Sequence, residues 1–307
     1  MNKPVVVVVG SSNTDMIVRV KRLPRAGETV LGEEFLTMSG GKGANQAVAA
    51  ARAGAQVSLI ARVGRDTFGD RAIAGYADDD IDTTQVSRDR SRASGAALIF
   101  VARDGANSIA VASGANNTLS PLHVKRASAA IAAADVLLLQ LETPLETVEA
   151  AARLAIGKGV RTILNPAPAR PLPDLLLRRV SILTPNESEA ELLTGIRLNG
   201  ISAVERAVRK LMRRGVAQVI VTLGARGALI ANEHGTELVP GFRVRAVDTT
   251  AAGDIFNGAL AVALAEGQPL HKSVRMANAA AALSVMRMGA QPSAPARRAI
   301  DQFLSLV

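Results

Sequence analysis

The chain has 307 residues, of which 48% are hydrophobic and only 2% aromatic. A sizeable core must therefore be built from Ala, Val, Leu and Ile, in one large domain or two modest ones. Cysteine is absent, which excludes disulfides, Cys-ligated zinc and thiol catalysis, and the net charge of +9 is spread along the chain without interleaved aromatics, so no nucleic-acid partner is expected.

The densest basic spots, MRRG (Met212 to Gly215) and LRRV (Leu177 to Val180), fall near expected helix ends. Cations there favour the helix dipole, and the surplus charge can attract anionic substrates.

Val5 to Gly10 is a short continuous β-branched run and reads as a buried strand. It is too short for a signal h-region and no cleavage pattern follows. No apolar run approaches the roughly 20 residues of a membrane span, so the expectation is a soluble cytoplasmic protein with no membrane partner. GSSNTD (Gly10 to Asp15) follows the strand. Asn13 and Asp15 there can serve vicinal hydroxyls, or only a capping turn.

Asp15 to Gly41 shows alternation and turn residues but no helix. SGGKGANQA (Ser39 to Ala47) then sets three Gly and one Lys before a helix over Gly43 to Gly54. This is not a Walker A loop, because Lys42 is followed by Gly43 and no Gly lies five residues before Gly41. It presents backbone donors at a helix start, or it is a loop that needs positive φ. Gln56 to Gly64 is the next strand. SGAALIFVARDGANSIAVASG (Ser94 to Gly114) reads as a hairpin turning near Asp104-Gly105. Together with the 15–41 stretch it is expected to form a small antiparallel sheet that serves as a lid.

Asp135 to Glu142 reads as a strand with Glu142 at its end. Thr143 to Gly159 reads as a helix, with Thr143 as N-cap and Pro144 at its first position. Strands follow at 160–166 and 180–187, the second leading into TPNESE, which offers Asn186 and Glu189. Ser202 to Gly215 is an amphipathic helix, and Ala217 to Gly224 a strand running into TLGARG (Thr222 to Gly227). Taken singly, each polar cluster is more readily a cap or a turn. The histidines His123, His234 and His271 lie outside every motif and read as surface or cap residues.

DTTAAGDIFNGALAVALAEG (Asp248 to Gly267) opens a helix almost without side chains, at Ala251, Ala252 and Gly253, followed by one acid, Asp254. A helix N-terminus carries unpaired N–H groups and partial positive charge, so a phosphate could approach closely. An acid beside it makes sense if it receives the proton of an attacking hydroxyl, a group about as weakly acidic as water. The amides would stabilise charge on the transferred group. A tightly packed helix start with a favourable first-turn acid accounts for the same residues.

Strands alternating with helices imply an α/β fold whose parallel sheet is covered on both faces. Ligands in such sheets sit beyond the carboxyl ends of the strands, where nearly all the polar clusters fall. Repeats, low-complexity linkers and a separable second domain are not seen, so a single domain over 1–307 is expected.

GGKGANQA near the start and DTTAAGDIFNGA near the end resemble the paired signatures of the ribokinase family, also called the phosphofructokinase B family of carbohydrate kinases. The likeness runs over essentially the whole chain. It is strongest to the ribokinases of that family through LNPAPARPLPD (Leu164 to Asp174), TPNESEAELLTGI (Thr184 to Ile196), VPGFRVRAVDTTAAGD (Val239 to Asp254) and GAQPS (Gly289 to Ser293).

The resemblance implies a three-layer α/β/α domain with a β-sheet lid that often forms a homodimer interface. It implies ATP-dependent phosphorylation of D-ribose at the 5-hydroxyl. Asp254 matches the catalytic base and Ala251, Ala252 and Gly253 the anion hole. Asn13, Asp15, Gly41, Lys42, Asn45 and Glu142 match sugar contacts. Asn186, Thr222, Gly224, Gly227, Gly253 and Asn278 fall at nucleotide positions, and Glu189 at a position associated with Mg2+ through water. Asp248, Thr250, Ser284, Arg287, Gly289 and Ser293 map to an activating K+ site in which several ligands are backbone carbonyls. The broad family usually has Gly at the place of Ala251 and a small residue at the place of Ser284; both replacements keep the backbone groups concerned. The rival readings are a sibling kinase of another sugar or a nucleoside, and a binding protein that does not turn over.

Overall fold

The computed structural model describes residues 3–306. The strands are β1 (Val5–Val9), β2 (Asn13–Val20), β3 (Gly32–Gly40), β4 (Gln56–Gly64), β5 (Val86–Asp89), β6 (Gly95–Ala102), β7 (Asn107–Ala112), β8 (Val136–Leu139), β9 (Arg161–Leu164), β10 (Ile182–Leu183), β11 (Gln218–Thr222), β12 (Gly227–Asn232) and β13 (Gly235–Pro240). The helices are α1 (Lys42–Arg52), α2 (Thr67–Asp78), α3 (Pro121–Arg126), α4 (Ser128–Ala132), α5 (Leu145–Ile156), α6 (Asp174–Leu177), α7 (Glu187–Thr194), α8 (Ile201–Arg213), α9 (Ala252–Ala265), α10 (Leu270–Ser284) and α11 (Arg297–Ser305).

The valines of β1 show why the fold has three layers. Val6 and Val8 enter one hydrophobic core while Val7 and Val9 enter another, and β8 divides likewise between Val136, Leu138 and Leu137, Leu139. A strand buried on both faces has no polar side to alternate with, hence the unbroken apolar runs. Helices α1, α2, α9, α10 and α11 supply the first core, and α3 to α8 the second. Among the described residues nine strands form this sheet, in the order β13-β12-β11-β10-β9-β8-β1-β4-β5. It is parallel except where β12 pairs with β11 and β13.

Core helices rich in alanine can approach closely. Helix α9 is buried continuously from Asp254 to Leu264, as suits a helix apolar on nearly every side. At its crossing with α1, a Cβ on Gly258 would lie 2.5 Å from Ala49 Cβ and 2.8 Å from Gln46 O. The absence of that atom lets α1 and α9 meet closely at this crossing.

Strands β2, β3, β6 and β7 form a second sheet, in the order β3-β2-β6-β7. The hairpins β2–β3 and β6–β7 are antiparallel, and the second turns at Gly105, φ 85°. The sheet is not antiparallel throughout, because β2 and β6 run parallel from Asn13↔Gly95 to Val20↔Ala102. Both strands leave the main body in the same direction and each is returned by its own hairpin partner. Phe35 (62% exposed), Leu98, Ile109 and Val111 project uncovered from this sheet.

Helix α5 begins one residue later than its Thr-Pro start suggests. Pro144 itself, at ψ 135°, is the N-cap, and Thr143 is buried instead of capping. The expected strand over 135–142 ends at Leu139. No helix among the described residues is long and apolar enough to cross a membrane.

Candidate active site

The polar clusters meet beyond the carboxyl ends of β1, β8, β10 and β11. On one side the Gly-rich turn before α1 runs directly against the segment joining β1 to β2. Gly41, the N-cap of α1, has φ 90°, and a Cβ on it would lie 2.6 Å from the Asn13 amide nitrogen. Positive φ and close backbone approach are both met only by glycine. Glu142 reaches this turn from beyond β8. Its Oε2 accepts from Ser11 Oγ at 2.5 Å and from the Lys42 amide at 3.0 Å.

Asn13 is buried, and its Oδ1 accepts from Asn116 Nδ2 at 2.7 Å. Asn116 also accepts from the Ser12 amide at 2.9 Å and donates to Ser12 O at 3.0 Å. The far side of Ser12 is held through its Oγ, 2.5 Å from the buried hydroxyl of Tyr76. With its oxygen engaged by Asn116, Asn13 keeps its NH2 group for a ligand. Asp15 packs against Gly40. Burial pushes its carboxyl up to about 6, aided by the negative charges of Glu142 and Asp254. Lys42 balances the cluster: Asp254 above all, then Glu142 and Glu189, hold its ammonium above the usual range against the cost of burial.

The start of α9 is bare in structure as in sequence. Ala251 is its N-cap in the left-handed region, φ 58°, and no side-chain bond caps the helix among the described residues. One of the amides is partly engaged, since Ala252 N donates to Thr249 O at 3.3 Å. The carboxylate of Asp254 is buried at 4% exposure. Its Oδ2 accepts from Asn45 Nδ2 at 3.0 Å and its Oδ1 from Gln46 Nε2 at 3.1 Å. A cavity of about 160 Å³ opens above this helix start, with Lys42, Asn186, Glu189, Gly253 and Asp254 on its wall.

A second cavity, about 380 Å³, adjoins it and shares Thr222, Thr249, Ala252 and Gly253. Gly224, Gly227, Phe256, Asn278 and Val285 line the remainder. A larger, mostly apolar hollow beside a polar helix start suits a ring system attached to a charged chain. Asn278 is fixed there by bonds from its Nδ2 to Val239 O and Pro240 O, both 3.2 Å.

Asn186 and Glu189 form a reciprocal capping box on α7. Glu189 accepts from the Asn186 amide and from its Nδ2, both at 2.9 Å, and Asn186 Oδ1 accepts from Glu189 N at 2.8 Å. The capping reading of these residues is thus realised, and both still line the smaller cavity. A carboxylate whose two oxygens are so engaged suits contact with a metal through water, and Mg2+ carried by nucleotide phosphates retains several waters. Among the described residues no cluster of three His, Asp or Glu could hold a metal by itself.

Of the residues assigned to a cation loop, Asp248, Thr250 and Gly289 are joined directly. Asp248 Oδ2 accepts from Gly289 N at 2.8 Å and Oδ1 from Thr250 N at 2.9 Å. The amides of Val247 and Asp248 both donate to Val285 O. Ser284 and Ser293 turn their hydroxyls to Ala281 O and Ala290 O, while the Arg287 side chain is exposed. The donors in this loop are all oxygens, the kind that suit a hard cation, and the Asp248 carboxylate is the acidic one among them.

Several residues of this site escaped the motif reading. Gln46, Gln140, Asn165 and Thr184 are buried beneath Asp254, and Asn116 and Ser11 lie behind Asn13 and Glu142. Gln46 sits inside the Gly-rich motif and Gln140 interrupts an apolar strand; a polar residue in such a place was the available signal. Asn116 carries none.

The model of the pfkB family carbohydrate kinases matches residues 3–297 of this chain. The ribokinase of Haemophilus influenzae is 44% identical over 297 residues, covering 97% of either chain. A deoxyribokinase of Salmonella typhimurium is 38% identical over 302 residues, covering 98% of this chain and 99% of the other. The structure of Arabidopsis thaliana ribokinase complexed with ribose and ATP superposes with a TM-score of 0.91 at 33% identity, over 99% of both chains. With the family model spanning nearly its whole length and relatives of this identity, the chain belongs to the pfkB family and is a carbohydrate kinase.

Proposed function

We propose that the protein transfers the γ-phosphoryl group of ATP to the 5-hydroxyl of D-ribose, giving ribose 5-phosphate and ADP. The observation that carries this reading is the position of Asp254. It is bonded to Asn45 on the sugar side and lies in the first turn of the helix beneath the phosphate-sized cavity. The likeness to a ribokinase complexed with ribose and ATP supports the substrate pair.

Asn13, Asp15, Gly41, Lys42, Asn45 and Glu142 would hold the sugar with its 5-hydroxyl at Asp254. The NH2 of Asn13 and the carboxylate of Asp15 offer a donor and an acceptor to two vicinal hydroxyls. Asp254 accepts the hydroxyl proton as the new bond to phosphorus forms. The amides at Ala251, Ala252 and Gly253 take up charge on the transferred group. Asn186, Thr222, Gly224, Gly227, Gly253 and Asn278 would bind the nucleotide across the two cavities. Glu189 would meet Mg2+ through water, and Asp248, Thr250, Ser284, Arg287, Gly289 and Ser293 would hold K+. The divalent ion supplies charge neutralisation at the phosphates. The second sheet would close over the sugar and exclude water, and its uncovered apolar side chains would pair two copies as a homodimer.

A second reading, phosphorylation of 2-deoxyribose, is favoured by the deoxyribokinase at 38% identity. Against it, a deoxy sugar would leave the half-buried Asp15 carboxylate one hydroxyl donor short. The test is ADP release with ATP, Mg2+ and K+ against ribose, 2-deoxyribose, fructose and adenosine, for the wild type and Asp254→Asn. Preference for ribose, lost about 10²-fold or more in kcat in the variant, is expected. Preference for 2-deoxyribose moves the assignment to the second reading, and a variant as fast as wild type removes Asp254 as base.

A further inference from the structure

A carboxylate that must face a hydroxyl on one side and a helix start on the other needs a fixed orientation. Asp254 receives one N–H bond on each oxygen, from adjacent residues of α1. The two donors differ in kind. Asn45 is assigned above to the sugar, and its amide would then be shared with the substrate. Gln46 is 0% exposed and reaches no ligand.

An amide side chain can present either end, and the neighbours decide which. Gln46 Oε1 accepts from Gln140 Nε2 at 2.6 Å, which commits the carbonyl end and leaves the NH2 end for Asp254. The same NH2 donates to Asn165 Oδ1 at 3.2 Å, and Asn165 spends its own NH2 on Thr184 O at 3.3 Å. A flipped Gln46 would set its oxygen against both Asp254 Oδ1 and Asn165 Oδ1. Gln140 is 1% exposed and is packed so closely on Gly10 that a Cβ there would lie 2.1 Å from its Oε1. The order Gly10, Gln140, Gln46, Asp254 is thus one buried line of contacts from the end of β1 to the reacting carboxylate.

We propose that Gln46, oriented by Gln140, is a positioning residue for the Asp254 carboxylate, an inference that rests on Asp254 being the base. Rotation of the carboxylate would break both of its bonds at once. Each oxygen still retains a lone pair for the incoming hydroxyl proton. Because Gln46 itself lines neither cavity and meets the reacting groups at Asp254, its loss should lower kcat and leave sugar affinity alone.

The experiment compares Gln46→Met, Gln140→Met, Asp254→Asn and the double variant Gln46→Met/Asp254→Asn, with thermal melting of each. Methionine keeps the volume and removes the polar ends. Gln46→Met should lower kcat about 10- to 100-fold, the loss expected for a misaligned reacting group, with KM for ribose within about twofold. Gln140→Met, which touches neither Asp254 nor the cavities, should give the same signature more weakly. The double variant, followed in single-turnover reactions, should be no slower than Asp254→Asn alone. An unchanged kcat in both Met variants, an equal rise in KM, or a further loss in the Asp254→Asn background would overturn the proposal. If Gln46→Met does not fold, Gln140→Met decides by the same criteria. Full activity of Asp254→Asn would instead refute the base assignment, whatever Gln46 does.

Discussion

Glu142 caps a helix to which it does not belong: its Oε2 accepts from the amide of Lys42, the first residue of α1 and 100 positions away in the chain. Helix α1 has no acid in its own first turn and no side-chain bond at its N-cap. A negative group at that end is favourable to the dipole, and the same group faces the sugar cluster. Glu142→Gln keeps an acceptor for the amide but loses the charge. It should melt close to wild type while KM for the sugar rises about tenfold or more, as for a lost charged hydrogen bond. Glu142→Ala should lose the affinity and also about 1 kcal/mol of stability. Melting curves and sugar saturation curves separate the two effects.

Asp15 sets a conflict between stability and binding. Its folded-state value of about 6 lies above the ordinary 3.8. The protein therefore keeps the full stability contribution of this group below pH 3.8 and loses it as pH rises through about 6. At neutral pH the cost is on the order of 3 kcal/mol at most. Asp15→Asn should accordingly raise the melting temperature at pH 7 and gain little near pH 4, while binding sugar poorly at every pH. In the wild type, KM for the sugar should rise as pH falls through about 6. A variant no more stable than wild type at pH 7 would contradict the strained carboxylate.

Local patterns made much of this architecture readable. The β1 valines, the face of α8 formed by Ala203, Val204, Ala207, Val208 and Leu211, and the Asp104-Gly105 turn each declare themselves within a few residues. So does the bare start of α9. What failed to show were partners joined across the chain. Gln46 and Gln140 are 94 positions apart, Asn13 and Asn116 are 103 apart, and no local rule relates them. Thr143 misled because Thr-Pro commonly opens a helix, whereas here the proline is the cap and the threonine is buried. The parallel pairing of β2 with β6 likewise depends on where both strands leave the body.

Gly258 tests the meeting of α1 and α9. In an exposed helix, Gly→Ala gains about 1 kcal/mol. Here the new Cβ would press on Ala49 Cβ and on the Gln46 carbonyl, so the sign should reverse, with a cost of about 1–3 kcal/mol. Gln46 O belongs to the backbone that carries the donors to Asp254, so kcat should fall together with the melting temperature. A stabilised, fully active Gly258→Ala would show that the helices yield freely.

Asp248 bridges two loops through Gly289 N and Thr250 N, one step from the left-handed Ala251. The cation assignment requires higher activity in potassium than in sodium at equal ionic strength. Asp248→Ala should abolish that difference and lower kcat, because the loop before Ala251 loses its anchor. Equal wild-type rates in the two salts would remove the cation site.

The pairing of Ser12 with Tyr76 gives the molecule an optical property. Tyr76 is the sole tyrosine and tryptophan is absent, so near-ultraviolet emission comes from one buried ring. That ring's hydroxyl touches the residue beside Asn13. On the proposed assignment of Asn13 to the sugar, adding ribose should therefore change a single phenol's signal, without a label. A tryptophan introduced at Phe35 on the second sheet would absorb and emit to the red of Tyr76, separating movement of that sheet from events at Ser12.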